Sequence, residues 1–180
     1  MSDAPLRAAG RGPFFRPWLW TPLIFVVDLV SKRLVLANEE ALRAHISVIG
    51  EFARFIYVRN PGSAMGLFPV GRWVLVGVSI LASFFIIYLY RSTEARLRVR
   101  LAAMAAILGG ALGNLVDRIF YEGRVVDFID LGFGSHRFYT FNVADIGVSI
   151  GGVVLFLCIL LESRGQKADE VDLSEEADLS

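Results

Sequence analysis

The chain alternates between long apolar segments and shorter polar ones. Four apolar segments stand out, and they lie at about residues 18–37, 73–90, 101–118 and 141–161. A helix needs about 20 residues to cross the hydrocarbon core of a bilayer, and each segment reaches this length if its polar ends lie near the interface. Backbone N–H and C=O groups must be bonded internally in lipid, so the four segments are predicted to be helices. The pattern therefore predicts an all-α membrane protein with four transmembrane helices.

Composition supports this class and argues against several others. Hydrophobic residues make up 55% of the 180 residues, against roughly 45–50% in soluble domains. The formal net charge is zero, which gives no support for binding to nucleic acid. A single cysteine, Cys158, and two histidines far apart in sequence offer neither a disulfide within the chain nor a metal cluster. No metal and no cofactor are predicted.

Basic residues predict the orientation. Residues 1–16 and 91–100, which precede the first helix and join the second to the third, together hold seven arginines. Lys and Arg accumulate on the cytoplasmic side of membrane proteins. Both termini are therefore predicted to be cytoplasmic, while residues 38–72 and 119–140 face outwards.

Three regions follow from this topology. Residues 1–16 form a cytoplasmic flank, residues 17–162 form the membrane domain, and residues 163–180 form a cytoplasmic tail. The tail is rich in acidic residues and nearly lacks large apolar side chains, so it is predicted to be disordered.

The first outer segment carries a strand pattern. β-Branched and aromatic residues alternate roughly in RFIYVRN, residues 54–60, and the run ends at the turn sequence NPG. This predicts a short strand pair on the outer surface, which would form a small extracytoplasmic β platform. The part near Ala41 is also compatible with an amphipathic segment resting on lipid headgroups.

Charged and small residues inside the helices predict how they pack. Asp28 and Lys32 lie four residues apart on one helical face, so they can pair and lower each other's burial cost. A structural ion pair is favoured over catalysis, because a lysine-neutralised carboxylate is a poor proton shuttle. Glycines four residues apart in the last two helices predict close packing; they are Gly109 and Gly113, and Gly147 and Gly151.

Polar residues collect at the outer ends of the third and fourth helices. Asn114, Asp117 and Arg118 share one helical face, and Arg118 is suited to hold a carboxylate in a two-pronged contact. Asn142 is a candidate cap for the fourth helix, and Asp145 follows it by one turn.

Two carboxylates in this region are predicted to have low solvent access. Asp127 lies among apolar residues in VVDFID, and Asp145 begins an apolar helix, whereas Asp130 is interpreted as a solubilising loop residue. Adjacent carboxylates share a proton because both cannot easily ionise, so one can activate a water while the other protonates the substrate. This is aspartic-protease chemistry. On the residues alone, an ion or proton pathway through the same carboxylates remains open.

Five motifs occur along the chain in a fixed order. They are DLVSK (28–32), RNPGSAMG (59–66), GGALGNLVDR (109–118), GRVVDFID (123–130) and FNVADIG (141–147). Together they resemble bacterial lipoprotein signal peptidase, the signal peptidase II family. The resemblance covers roughly residues 18–162, and the last three motifs carry most of its specificity.

The resemblance implies an intramembrane aspartic endopeptidase of the bacterial cytoplasmic (inner) membrane, with its active site near the outer face. Its substrates would be prolipoproteins already modified with diacylglycerol, cut just before the lipidated cysteine. Membrane lipid is the other expected partner, and a monomer is expected. The catalytic pair maps onto Asp127 and Asp145. Residues that bind substrate or support this pair map onto Asp28, Lys32, Asn60, Gly62, Asn114, Arg118 and Asn142.

Two departures from the family pattern concern the substrate groove. Ser63 stands where the family usually has alanine, and Met65 stands where it usually has phenylalanine. The link between GNLVDR and VVDF is also one residue longer. These departures leave both carboxylates in place.

Rival functions make different demands on the sequence. A small transporter would use the buried carboxylates as a proton relay, but it leaves the ordered motifs unexplained. A non-enzymatic assembly factor would use only the outer loops. Other intramembrane aspartic proteases carry a GxGD motif, which is absent from this sequence.

Overall fold

A computed structural model describes residues 16–62 and 71–178, with side chains as far as Arg164. A short 3₁₀ turn, Pro17–Leu19, leads into the first helix. The helices are α1 (Trp20–Ala37), α2 (Glu39–Arg43), α3 (Arg72–Ser92), α4 (Arg98–Phe120) and α5 (Val143–Asp178). The strands are β1 (Ile46–Ile49), β2 (Ala53–Asn60), β3 (Val125–Phe133) and β4 (His136–Arg137).

Three helices within the described residues are long and apolar enough to cross a membrane: α3, α4 and the part of α5 from Val143 to Arg164. The predicted first span, α1, has 18 residues and includes Asp28, Lys32 and Arg33. Asp28 and Lys32 are both buried, so their charges face protein rather than lipid. The membrane character of the fold is therefore confirmed for three helices, and the fourth span stays a prediction.

The four strands form one antiparallel sheet in the order β1-β2-β3-β4. The predicted strand pair is confirmed by β1 and β2, which are paired from Ile46 opposite Phe55. The segment VVDFID, expected to be a loop, is instead strand β3, with Val58 opposite Asp127 and Asn60 opposite Val125. Residues 125–128 are all buried, so β3 lacks the alternation of polar and apolar residues by which a half-exposed strand is recognised.

Helix α4 is the centre of the bundle and packs against α1, α3 and α5. Glycines make the closest approaches: a Cβ on Gly109 would lie 2.7 Å from the Thr21 carbonyl oxygen, and one on Gly151 would lie 2.7 Å from the Ala103 carbonyl oxygen. The Thr21 hydroxyl also donates to the Ala105 carbonyl at 2.9 Å. The predicted close packing at small residues is confirmed.

This packing gives a matched test on adjacent residues. Gly151→Ala should lower the free energy of unfolding by about 1–3 kcal/mol, because the added methyl group overpacks the contact with α4. Gly152→Ala should be neutral or stabilise by up to about 1 kcal/mol, because nothing lies within 4 Å of its Cβ position and alanine favours the helix. Unfolding in detergent, followed by circular dichroism, measures both. Equal effects of the two substitutions would contradict the packing.

The C-terminal segment differs from its predicted disorder. The main chain continues as helix to Asp178, well past the apolar part of α5. Its alanine, glutamate, glutamine and lysine residues favour a helix despite the scarcity of apolar groups, so composition alone did not show the continuation. Most of the predicted flank, residues 1–15, lies outside the described residues, as do Ser63 and Met65.

Candidate active site

Asp127 and Asp145 come together where α4, β3 and α5 meet. Asp127 is on β3 and is only 2% exposed, whereas Asp145 is in the first turn of α5 and is half-buried. The chain between them turns back from the sheet, since Phe141 pairs with Ile129 before α5 begins. The strand and the helix therefore present one carboxylate each to the same place.

Asp127 is held by two amides. Asn60 Nδ2 donates to Oδ2 at 2.8 Å, and Asn142 Nδ2 donates to Oδ1 at 2.7 Å. Burial raises the pKa of the Asp127 carboxyl to about 6, and the charge of Asp145 acts in the same direction, while the two amide hydrogen bonds oppose the rise. The Asp127 carboxyl therefore keeps its proton to a higher pH than an ordinary aspartic acid, up to about pH 6.

Asp145 is fixed by the cap of α5. Its backbone N–H donates to Asn142 Oδ1 at 3.0 Å, and the Asn142 N–H donates back to Asp145 Oδ2 at 3.2 Å. This reciprocal pair is a capping box, and it confirms Asn142 as the cap residue. The other carboxylate oxygen, Oδ1, accepts from Asn114 Nδ2 at 2.8 Å.

One buried amide links the two carboxylates. Asn142 is fully buried, and its Nδ2 donates both to Asp127 Oδ1 and, at 3.2 Å, to Asn114 Oδ1. Asn114 in turn donates to Asp145. The continuous path Asp127–Asn142–Asn114–Asp145 therefore fixes the two acids relative to each other without a basic residue between them.

A buried lysine contacts this network through Asn114. Lys32 Nζ lies 2.7 Å from Asp28 Oδ2 and 3.0 Å from Asp117 Oδ2, and it donates to Asn114 Oδ1 at 2.9 Å. The predicted Asp28–Lys32 ion pair is confirmed. Asp117 was not predicted as a partner, although its position three residues after Asn114 places it on the same face of α4.

The two partners of Lys32 also hold the backbone beside each acid. Asp28 Oδ1 accepts the N–H of Ala144 at 2.8 Å, immediately before Asp145. Asp117 Oδ2 accepts the N–H of Val126 at 3.0 Å, immediately before Asp127. The lysine cluster thus anchors the start of α5 and the start of β3 to α1 and α4.

The sequence and the fold are similar to those of known proteins. Residues 21–161 match the sequence profile of a family described as signal peptidase (SPase) II. The lipoprotein signal peptidase of Symbiobacterium thermophilum is 43% identical over 139 residues, which are 77% of this chain and 90% of that protein. The chain belongs to the signal peptidase II family. It is therefore a peptidase.

Other relatives extend the match in sequence and in structure. The lipoprotein signal peptidase of Shewanella oneidensis is 35% identical over 165 residues, covering 88% of this chain and 92% of that one. A bacterial membrane enzyme solved by the in meso method at 2.3 Å resolution superposes with a TM-score of 0.74 at 25% identity. That superposition covers 82% of this chain and 88% of the solved one. The fold is therefore that of a membrane-embedded enzyme.

Arg118 does not hold a carboxylate within the described residues. Its Nη1 donates to Ser79 Oγ at 3.4 Å, and its buried Nε has no partner in the part of the chain that is described. Gly62 lies beside it: a Cβ on Gly62 would be 3.9 Å from Arg118 Nε. The Gly62 N–H donates to Asn60 Oδ1 at 3.0 Å, which orients the amide bound to Asp127.

Asp130 corrects the interpretation of a solubilising loop carboxylate. It is 7% exposed, and Arg137 reaches it with Nε at 3.1 Å from both carboxylate oxygens and Nη2 at 2.6 Å from Oδ2. Arg137 also donates to the carbonyls of Glu51 and Gly132. This clamp ties the β3–β4 turn to the β1–β2 turn, a contact between distant residues that local sequence patterns do not show.

Proposed function

We propose that the protein is an aspartic endopeptidase whose catalytic dyad is Asp127 and Asp145. Its substrates are diacylglyceryl-modified prolipoproteins, and it cuts just before the lipidated cysteine. The observation that carries the proposal is the amide path that joins the two acids through Asn142 and Asn114. A structural ion pair would need a cation between the acids, whereas Lys32 pairs with Asp28 and Asp117 and reaches the dyad through Asn114.

The chemistry follows from the different surroundings of the two acids. Asp127 starts with the proton that the dyad shares, which its raised pKa of about 6 favours. Asp145 takes a proton from a water as that water attacks the scissile carbonyl carbon, while Asp127 gives its proton to the carbonyl oxygen. The tetrahedral diol then breaks its C–N bond as Asp145 returns a proton to the leaving amine. Asp127 recovers its proton from the collapsing diol.

The supporting residues divide into two groups. The first group consists of positioning residues, which hold the dyad through the contacts described above: Asn114, Asn142, Asp28 and Lys32. Asn60, Gly62 and Arg118 lie on the β2 side of Asp127, where Arg118 keeps an unpaired Nε within the described structure. An extended substrate accepts hydrogen bonds through its backbone carbonyls, so the role proposed for these residues is to orient the peptide on either side of the scissile bond.

The proposed setting is the bacterial cytoplasmic membrane, with four spans, cytoplasmic termini, a monomeric chain and the dyad near the outer face. Residues 91–100, rich in arginine, join α3 to α4 at the end of α4 away from β3, which supports this orientation. Membrane lipid is a further proposed partner, because the acyl chains of the substrate stay in the bilayer while its scissile bond reaches the dyad.

Two purified precursors test the substrate class. Full-length enzyme in detergent is incubated with a diacylglyceryl-modified prolipoprotein and with the same precursor lacking the modification, and the products are identified by mass. The proposal predicts cleavage of the modified precursor only, with the lipidated cysteine at the new N-terminus. Equal cleavage of both precursors, or cleavage elsewhere, contradicts it.

The rate should depend on the proton of Asp127. Its protonated form is required, so activity should fall as pH rises through about 6. Asn60→Ala removes a hydrogen bond that favours the ionised form, so the pKa should rise and the alkaline limb should move to higher pH. Single-turnover rates between pH 4 and 8, roughly the range around this pKa, measure the limb. A limb that stays in place or moves to lower pH contradicts this assignment of the proton.

A transmembrane proton pathway finds little support in the described residues. The buried charged residues belong to the cluster around Asp127 or to the clamp of Asp130. Towards the start of α4, the buried side chains are Leu101, Ala103, Met104 and Ala105. A proton relay needs polar groups across the full thickness of the bundle. The described residues therefore favour the peptidase function over a proton pathway.

A further inference from the structure

The end of the bundle away from the dyad contains a cavity lined by basic and aromatic side chains. It has a volume of about 510 Å³ and lies between the 3₁₀ turn before α1 and the α3–α4 connection. Three arginines line it, Arg16, Arg91 and Arg98, together with the aromatic rings of Trp18 and Tyr90. It shares no lining residue with the dyad network, so the peptidase chemistry does not account for it.

The three arginines keep their positive charge uncompensated within the described residues. Among the side chains that the structure describes, two acidic residues lie at this end, Glu94 and Glu162, and each pairs with a different arginine: Glu94 with Arg96 at 2.6 Å and Glu162 with Arg100 at 2.9 Å. None of the three cavity arginines forms an ion pair in the described parts of the chain. The cavity therefore presents concentrated positive charge with hydrogen-bond donors free for an anion.

The residues around the three arginines indicate which kind of anion the cavity binds. Trp18 is 51% exposed and sits with Tyr90 at the rim, and such aromatic side chains favour the level of lipid headgroups. Buried Leu101 forms part of the floor, and α3 beyond it presents large apolar side chains to the outside, so acyl chains can continue from the cavity along the helices. Arginine guanidinium groups bind phosphate oxygens in a planar, two-pronged fashion.

We infer that this cavity binds the phosphate headgroup of an anionic phospholipid from the adjacent leaflet. The Arg16, Arg91 and Arg98 guanidinium groups bind the phosphate, and Trp18 and Tyr90 flank the glycerol region. Basic pockets between membrane helices on the cytoplasmic side are typical sites for anionic lipids. The site lies at the opposite end of α4 from the dyad, so it anchors the enzyme in the leaflet and takes no part in cleavage.

The test compares lipids and charge-matched variants. Full-length enzyme is purified in detergent with equal mole fractions of phosphatidylglycerol and phosphatidylcholine, and retained lipid is counted by native mass spectrometry. The wild type should retain phosphatidylglycerol over phosphatidylcholine. Arg16→Gln/Arg91→Gln/Arg98→Gln should lose this preference, by about fivefold for each arginine removed. The control Arg43→Gln/Arg124→Gln/Arg164→Gln, which removes three exposed arginines outside the cavity, should keep it.

Each outcome decides the inference. Equal retention of the two lipids by the wild type overturns it, as does equal loss in both triple variants. Displacement of the bound lipid by an equal concentration of free glycerol phosphate would identify a soluble phosphate as the ligand and also overturns it. If the triple variant does not fold, Arg91→Gln and Arg98→Gln singly should each weaken retention about fivefold, whereas Arg91→Lys should keep most of it.

Discussion

Asparagine in place of Asp127 or Asp145 is expected to lower the single-turnover rate of prolipoprotein cleavage by at least about a thousandfold, because each acid transfers a proton in the reaction. Asparagine has nearly the same shape but cannot exchange that proton. At position 145 it can still accept from the Asn142 N–H or from Asn114 Nδ2 through its single oxygen. The loss should therefore appear in the chemical step and not in binding of the precursor.

Folding must be measured alongside the rate. In Asp127→Asn the new amide group can face the Nδ2 of Asn60 or of Asn142, and one of these two amides must turn over. Circular dichroism and the unfolding midpoint in detergent distinguish this adjustment from collapse of the site. A folded variant of either acid that retains a tenth of the wild-type rate would remove that acid from the dyad.

Lys32→Met is expected to lower the free energy of unfolding by about 3–5 kcal/mol, because it leaves two buried carboxylates, Asp28 and Asp117, without their cation. These two acids hold Ala144 and Val126, so the loss should also loosen the backbone beside the dyad. Folded yield in membranes and unfolding in detergent measure the effect.

A compensated variant isolates the cause. Asp28→Asn/Lys32→Met/Asp117→Asn removes the cation and both charges together, so it should recover part of the stability lost by Lys32→Met alone. Lys32→Met with full stability and no activity would instead place Lys32 in the chemistry. If the triple variant is no more stable than Lys32→Met alone, Lys32 stabilises the protein by packing and not by its charge.

Much of the architecture was predictable because it depends on local sequence patterns, such as apolar runs and the spacing of nearby residues. Long apolar runs predict membrane helices, and glycines four apart predict close packing, which the contact of Gly151 with Ala103 confirms. Spacing likewise predicted the Asp28–Lys32 pair and the cap at Asn142, since in both cases the partners are three or four residues apart.

The missed features depend on contacts between distant residues. Strand β3 is buried along residues 125–128, so its pattern does not alternate, and its strand character comes from pairing with β2. Asp117 joins Lys32 across two helices, and Arg137 reaches Asp130 across a turn. Arg118 was expected to hold a carboxylate, but the lysine cluster and the amides already occupy the acids in this region.

The measurement that tests the dyad most directly compares two asparagine substitutions on one strand. Asp127→Asn and Asp130→Asn change the same chemical group three residues apart on β3, and only Asp127 belongs to the amide path to Asp145. The two variants are purified separately by the same procedure and shown to be folded. Each is then assayed for single-turnover cleavage of the diacylglyceryl-modified precursor. Asp130→Asn should keep a rate within about threefold of the wild type, while the rate of Asp127→Asn should fall by at least about a thousandfold. Equal rates for the two folded variants would contradict the assignment of the dyad.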